Sequence, residues 1–175
     1  MHIVPRSCLT IYEDKTVSGS WDNPIKVWDS SAGKLLRILS VHTNRIKSVA
    51  VSTKRARFII LVSSSEDYSV IIWDLLDYAA LRTIVQDTSI VYIAVSNQVH
   101  PYIAWLDSNK SIRILQLNLS VDDKGSEVKA VELLQTRSLG KICEDSTTMT
   151  CFQFHSPNIT EKGAILNEEE STGNQ

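Results

Sequence analysis

Two segments of this chain repeat each other at a fixed distance. Residues 18–29 read Ser-Gly-Ser-Trp-Asp-Asn-Pro-Ile-Lys-Val-Trp-Asp, and residues 63–74 read Ser-Ser-Ser-Glu-Asp-Tyr-Ser-Val-Ile-Ile-Trp-Asp. Each is a small polar triplet, an Asp, a short β-favouring run and a closing Trp-Asp. Trp28 and Trp73 stand 45 residues apart. A weaker third copy spans residues 105–116, with Leu115 in the Trp position 42 residues after Trp73. A unit of this length cannot bury its own apolar face. It must stack on neighbours of the same kind, so the repeat dictates the architecture before any single residue is considered.

The residues between the cores fit four strands per period. Arg45 to Ser52 alternates and is rich in β-branched residues, as a first strand should be. Lys54 to Arg57 reads as a polar turn. Phe58 to Ser63 is a continuous apolar run, the pattern of a strand covered on both faces. Glu66 to Tyr68 is a tight turn, Ser69 to Trp73 a third strand, and Ala80 to Val85 a fourth. Gly33 to Leu39 matches the fourth strand of the preceding unit, and Ile90 to Ser96 the first strand of the next.

These cores resemble those of the WD-repeat β-propeller family. Ser18-Gly19-Ser20, Asp22 and Ile25-Lys26-Val27-Trp28-Asp29 are close to the family's consensus, and Val41-His42 through Trp73-Asp74 resembles a nearly complete repeat. The family has Gly-His where this chain has Val41-His42. The resemblance covers about residues 8–157. Met149 to Pro157 is similar to the first strand of a fourth repeat, and residues 158–175 read as a polar, disordered tail. The resemblance implies an all-β fold, a partial, open propeller of about three four-stranded antiparallel blades plus the start of a fourth.

It also implies roles for single residues. In the family a His, a Ser or Thr, an Asp and the Trp form a hydrogen-bonded chain within a blade. By position these are His42, Ser63, Asp67 and Trp73. The chemistry suits a buried network, because Trp offers one donor, Ser both donates and accepts, and His bridges a hydroxyl to a carboxylate. The first unit keeps Ser18, Asp22 and Trp28, while the histidine expected near or before Cys8 is missing. In the third unit Trp105, Asn109 and Leu115 replace Ser, Asp and Trp, and Gln86 or Asp87 falls near the His position. Those two blades should be held by apolar packing more than by polar bonds.

Catalysis is not expected. Ser63, His42 and Asp67 have the composition of a catalytic triad, but a Ser within a strand and tied to a Trp is not at a strand-to-helix elbow beside an oxyanion hole. Gly33-Lys34 and Gly140-Lys141 lack the rest of a phosphate-binding loop, and no metal-ligand spacing occurs. No cofactor and no metal are expected. The three cysteines, Cys8, Cys143 and Cys151, include no C-x-x-C pair and read as reduced thiols. Their odd number and the absence of a signal-like or membrane-length apolar run point to the cytoplasm or nucleus. The net charge of −2 gives no general attraction to nucleic acid or anionic membrane. The sequons at Asn118 and Asn158 are then accidental.

Five basic residues, Arg45, Lys47, Lys54, Arg55 and Arg57, lie close in sequence. They fall at the two ends of one strand and need not form a single patch. In the family, partners touch the residues just past the His, here Arg45 and Lys47, with Ser89 and Val91 in the next unit. The implied function is a protein–protein interaction scaffold or adaptor, its partners proteins or peptides, with another chain or further blades completing the ring. Other readings are a substrate-recognition segment of a ubiquitin-ligase assembly and a propeller sensor from a larger ATPase. The first needs a helical docking region and the second a phosphate-binding loop, and the sequence has neither.

Overall fold

The computed structural model describes residues 8–55, 58–98, 100–121 and 128–141. Twelve strands form in chain order: β1 (Cys8–Tyr12), β2 (Lys15–Gly19), β3 (Ile25–Asp29), β4 (Leu35–Leu39), β5 (Ile46–Arg55), β6 (Phe58–Ser65), β7 (Ser69–Asp74), β8 (Ala79–Val85), β9 (Ile90–Val95), β10 (Tyr102–Asp107), β11 (Ser111–Val121) and β12 (Val128–Lys141). Each successive group of four makes one antiparallel sheet, so the described residues form three blades that do not close into a ring. The expected fourth-repeat strand near Met149 to Pro157, and residues 158–175, lie outside the described residues.

Alternation explains how the blades hold together. Along β6, Ile59 and Leu61 enter the core shared with the first blade, while Ile60 and Val62 enter the core shared with the third. Along β7, Ile71 and Trp73 face the first blade, and Val70 and Ile72 face the third. Successive strand residues point to opposite faces, so a strand between two blades must be apolar on both. Every residue of β7 is accordingly buried. The rim strand β8 is mostly exposed. The first strands β1, β5 and β9 lie side by side, and polar bonds add to the stacking: Ser48 Oγ accepts from Ile93 N at 3.2 Å, and Ser52 Oγ donates to Ser96 O at 3.0 Å.

The turns repeat as faithfully as the strands. Asn23, Tyr68 and Lys110 each follow the Asp position, or Asn109 in the third blade, and each adopts a left-handed backbone, with φ of 83°, 65° and 61°. The Asp that follows each Trp works as a turn cap. Asp29 Oδ1 accepts from Ser31 N at 2.9 Å and Ala32 N at 2.8 Å, and Asp74 Oδ1 accepts from Leu76 N at 2.8 Å. In the third blade Asp107 caps the β10–β11 turn by accepting from Asn109 N and Ser111 N, both at 2.9 Å.

One expectation needs correction. β5 runs through Lys54 to Arg55, which pairs with Phe58, so Lys54 and Arg55 belong to a strand rather than to a polar turn. β11 continues to Val121 and pairs with β12 along its whole length, past Tyr102↔Gln116, where its pairing with β10 stops.

Candidate functional site: a buried polar chain beneath a charged blade end

The β6–β7 turn and the connector from β4 to β5 meet at one end of the second blade. The connector brings His42 over the sheet, β6 supplies Ser63, the turn supplies Asp67 and β7 supplies Trp73. Trp73 Nε1 donates to Ser63 Oγ at 2.8 Å. Ser63 Oγ lies 2.8 Å from His42 Nε2, and His42 Nδ1 lies 2.9 Å from Asp67 Oδ2. One proton arrangement satisfies every member. The indole N–H points to Ser63, the Ser63 hydroxyl to Nε2, and the Nδ1–H of a neutral imidazole to the carboxylate. Asp67 also accepts from Thr43 N at 2.9 Å and from Ser69 Oγ at 2.6 Å.

The electrostatics agree with that arrangement. Burial pushes the Asp67 carboxyl upward, but hydrogen bonds from Ser69, Thr43 and His42 outweigh it and hold its pKa at about 2. Burial pushes His42 below its ordinary 6.5, and Asp67 only partly offsets this. The result is a neutral imidazole beside an ionised carboxylate. Ser63 is fully buried, so no substrate reaches its hydroxyl. The group ties the β6–β7 turn to the connector that crosses it.

The first blade keeps one link of the chain, Trp28 Nε1 to Ser18 Oγ at 2.9 Å. Asp22 instead lies 3.6 Å from Lys26, and Pro24 stands where the second blade has Ser69. Strand register also exposes something the sequence reading missed. Cys8 pairs with Gly19 as Ser48 pairs with Ser64. His42 stands six residues ahead of Ser48, and His2 stands six residues ahead of Cys8. The first unit therefore has a histidine at the matching position, although that residue lies outside the described ones. Counting back from the first strand, rather than from Ser18, would have found it.

In the third blade Trp105 fills the Ser position, buried, and its Nε1 has no hydrogen-bond partner among the described residues. Gln86 and Asp87, at the His position, turn to Arg113 instead, at 3.1 Å and 3.7 Å. Apolar contacts hold that blade, with Ile93, Ile103, Trp105, Leu115 and Leu117 against β6 and β7.

Above the polar chain lie Arg45 and Lys47. Both are joined to Glu66 of the β6–β7 turn: Lys47 Nζ is 2.7 Å from Oε1, and Arg45 Nε is 3.9 Å from Oε2. The Arg45 guanidinium also sits over the Trp21 ring of the first blade, 4.5 Å from its centroid. Trp21 and Glu66 were not singled out from sequence, because each is brought in by a turn of fixed geometry. Ser89 and Val91 lie at the corresponding end of the third blade. Ser89 O accepts from Ser108 N at 2.8 Å, and Val91 is exposed. No described bond joins them to Arg45 or Lys47. Lys54 and Arg55 stand at the opposite end of β5, about 30 Å of extended chain away, and Arg57 lies outside the described residues. Among the described residues no cluster could hold a metal ion, and no helix is long and apolar enough to cross a membrane.

No protein-family model matches the chain. Single relatives do. It is 49% identical over 59 residues to cell division control protein 4 of Saccharomyces cerevisiae, covering 34% of this chain and 7% of the relative. It is 29% identical over 133 residues to the small ribosomal subunit protein RACK1y of Oryza sativa subsp. japonica, covering 75% of this chain and 39% of the relative. It is 37% identical over 57 residues to the uncharacterized WD repeat-containing protein C126.01c of Schizosaccharomyces pombe, 33% of this chain and 15% of the relative. The chain thus spans less than half the length of each. Among solved structures, the Swd1 β-propeller domain of Myceliophteria thermophila superposes with a TM-score of 0.57 at 21% identity, over 66% of this chain and 36% of that one. Repeat cores, stacked four-stranded sheets and relatives of this kind converge: the chain is similar to WD-repeat proteins, and its fold is that of an open β-propeller segment.

Proposed function

We propose that the chain is a protein–protein interaction scaffold whose partner-binding surface is the blade end carrying Arg45 and Lys47, extended by Ser89 and Val91. The observation that carries this reading is the Trp21–Arg45–Glu66–Lys47 group. An arginine stacked on an aromatic ring and tethered to a carboxylate is pre-organised, so little side-chain freedom is lost when a partner docks. Glu66 cancels one of the two positive charges, which favours a partner with a modestly acidic surface over a polyanion. The group rests on turns whose positions are set by the buried chain below, so surface residues can differ while the scaffold stays fixed. It acts in the cytoplasm or nucleus.

Affinity capture with the whole chain, followed by mass spectrometry, tests the reading. Arg45→Glu with Lys47→Glu should remove the captured partner while leaving the melting temperature nearly unchanged, because exposed ion pairs contribute little to stability. Capture that survives this change, but is lost on altering the rim strand β8, would move the binding surface to the rim.

A further inference from the structure

The β6–β7 turn carries a tyrosine that the fold does not use. Tyr68 adopts φ of 65°, a left-handed backbone that a bulky residue rarely enters. The matching turn of the first blade has Asn23, whose short polar side chain tolerates that region. Tyr78 is left-handed as well, with φ of 57°, but its ring packs against the core between the first and second blades, and the Arg37 guanidinium lies 5.3 Å from its centroid. The Tyr68 ring has no such place: it is 50% exposed and joins neither apolar core. Strain of this kind, where packing gives no reason for it, collects at surfaces that a ligand uses.

The turn is fixed between two strand ends. Glu66 N donates to Arg45 O at 2.9 Å, and Gln86 N donates to Tyr68 O at 2.8 Å. Val85 pairs with Ser69, beside Tyr68, and is exposed, as is Val41 next to His42. Tyr68 stands two residues past Glu66, at most about 7 Å of extended backbone. An apolar corner therefore adjoins the charged one. In the charged corner one cation is left without a close partner. Lys47 Nζ is 2.7 Å from Glu66, and Lys26 lies 3.6 Å from Asp22. The Asp67 carboxylate is taken by Thr43, Ser69 and His42. Arg45 comes no closer to Glu66 than 3.9 Å, and its side chain is 48% exposed. Trp21 holds the guanidinium plane, and no described hydrogen bond engages its Nη groups. That edge can donate to a carboxylate through two parallel bonds.

We propose that Arg45 and Tyr68 are the two anchors of a peptide site on the second-blade end. Arg45 takes a carboxylate of the partner. The Tyr68 ring, with Val41 and Val85, takes a large apolar side chain about two to four residues further along an extended segment, which advances about 3.3 Å per residue. Arginine and tyrosine are the side chains on which binding energy concentrates. The site rests on the assignment of the Arg45–Lys47 end as the partner surface and gives that partner its chemistry: a short segment with one acidic and one large apolar residue.

Selection of a random phage-displayed peptide library on the whole chain tests this. Enriched peptides should carry Asp or Glu and, two to four residues away, a large apolar residue. The most enriched peptide, made synthetically, is then titrated by fluorescence polarisation. Tyr68→Asn should weaken it about tenfold while raising the melting temperature of the chain. Weaker binding with a more stable fold cannot come from misfolding. Tyr68→Phe should bind as the wild type does. Arg45→Lys keeps the charge but loses the fork, so it should weaken binding by a similar factor. Unchanged affinity in Tyr68→Asn overturns the proposal. If Arg45→Lys still weakens the peptide, the charged end remains the partner surface; if neither does, that assignment falls with it. A library that yields no peptide, or peptides without the acidic and apolar pair, overturns the proposal and leaves the surface to the affinity capture.

Discussion

Trp73 donates its indole N–H to Ser63 Oγ at 2.8 Å, and that hydroxyl lies 2.8 Å from His42 Nε2, so one serine carries a bond from the blade interior to the connector above it. Ser63 is fully buried, and both bonds are shielded from water. Removing a member strands a polar group with no solvent to replace its partner. His42→Ala and Asp67→Ala should each lower stability by about 1–3 kcal/mol. Trp73→Phe keeps most of the ring and deletes only the donor, so it should cost less than Trp73→Ala. Thermal melts of the four variants check the ordering. Unchanged melting in His42→Ala and Asp67→Ala would mean that the bonds contribute nothing to the fold.

Acid should weaken the blade in two steps, both of the same sign. Burial lowers the folded pKa of His42 below 6.5, so the unfolded chain takes up a proton there first. Stability from this group is complete above about 6.5 and is lost as pH falls toward the lowered value. Asp67 is held at about 2 against an ordinary 3.8, so its contribution is complete above 3.8 and is lost only as pH falls toward 2. A plot of melting temperature against pH should slope downward on acidification below about 6.5. His42→Gln should flatten the upper part of that slope while leaving the lower part. An unchanged upper slope in the variant would assign it to another group.

The periodic parts of the molecule were legible because they rest on local pattern. Trp28 and Trp73, with their Asp and small-residue triplets, mark the third strand of two blades. The continuous run from Phe58 to Val62 announced a strand covered on both faces, and β6 is such a strand. What escaped depends on pairing across distance. β12 has no Trp-Asp and no repeat core, and its place follows only from pairing with an extended β11. The length of β5 was hidden because Lys54 and Arg55 read as turn residues when taken singly. For the surface, Arg45 and Lys47 were visible as charges. Their tether to Glu66 and the stacking on Trp21 needed the folded turns.

The left-handed residue after each Asp position gives a test of local strain. Asn23 adopts φ of 83° where its short polar side chain tolerates that region, but Tyr68 adopts 65° with a large ring half in solvent. A non-glycine residue in this region costs about 1–2 kcal/mol, less for Asn. Tyr68 contributes no hydrogen bond through its side chain among the described contacts. Tyr68→Asn or Tyr68→Gly should therefore raise the melting temperature, with Gly losing part of its relief to unfolded-chain entropy. A lowered melting temperature in both would mean that the ring stabilises the turn by more than the backbone strain costs.

Gly19 supplies the opposite case, a position where the smallest side chain is required by what crosses it. It lies at the end of β2 under the connector into β5, where Ile46 N donates to Ser20 O at 3.1 Å. A Cβ at Gly19 would run into the Ile46 side chain and lie 2.7 Å from Cys8 Sγ. Ile46 is itself buried and belongs to the core between the first and second blades, so it has little room to retreat. Gly19→Ala must therefore push β5 away from β2 or force Ile46 off its rotamer, at about 1–3 kcal/mol. The second blade has Ser64 at the same position and tolerates it, which locates the constraint in the neighbour rather than in the backbone conformation. Pairing Gly19→Ala with Ile46→Ala, which removes the crowding Cγ2 methyl, should cost less than the sum of the two single losses. Measured by denaturant unfolding, additive losses in the double variant would show that the two side chains do not meet.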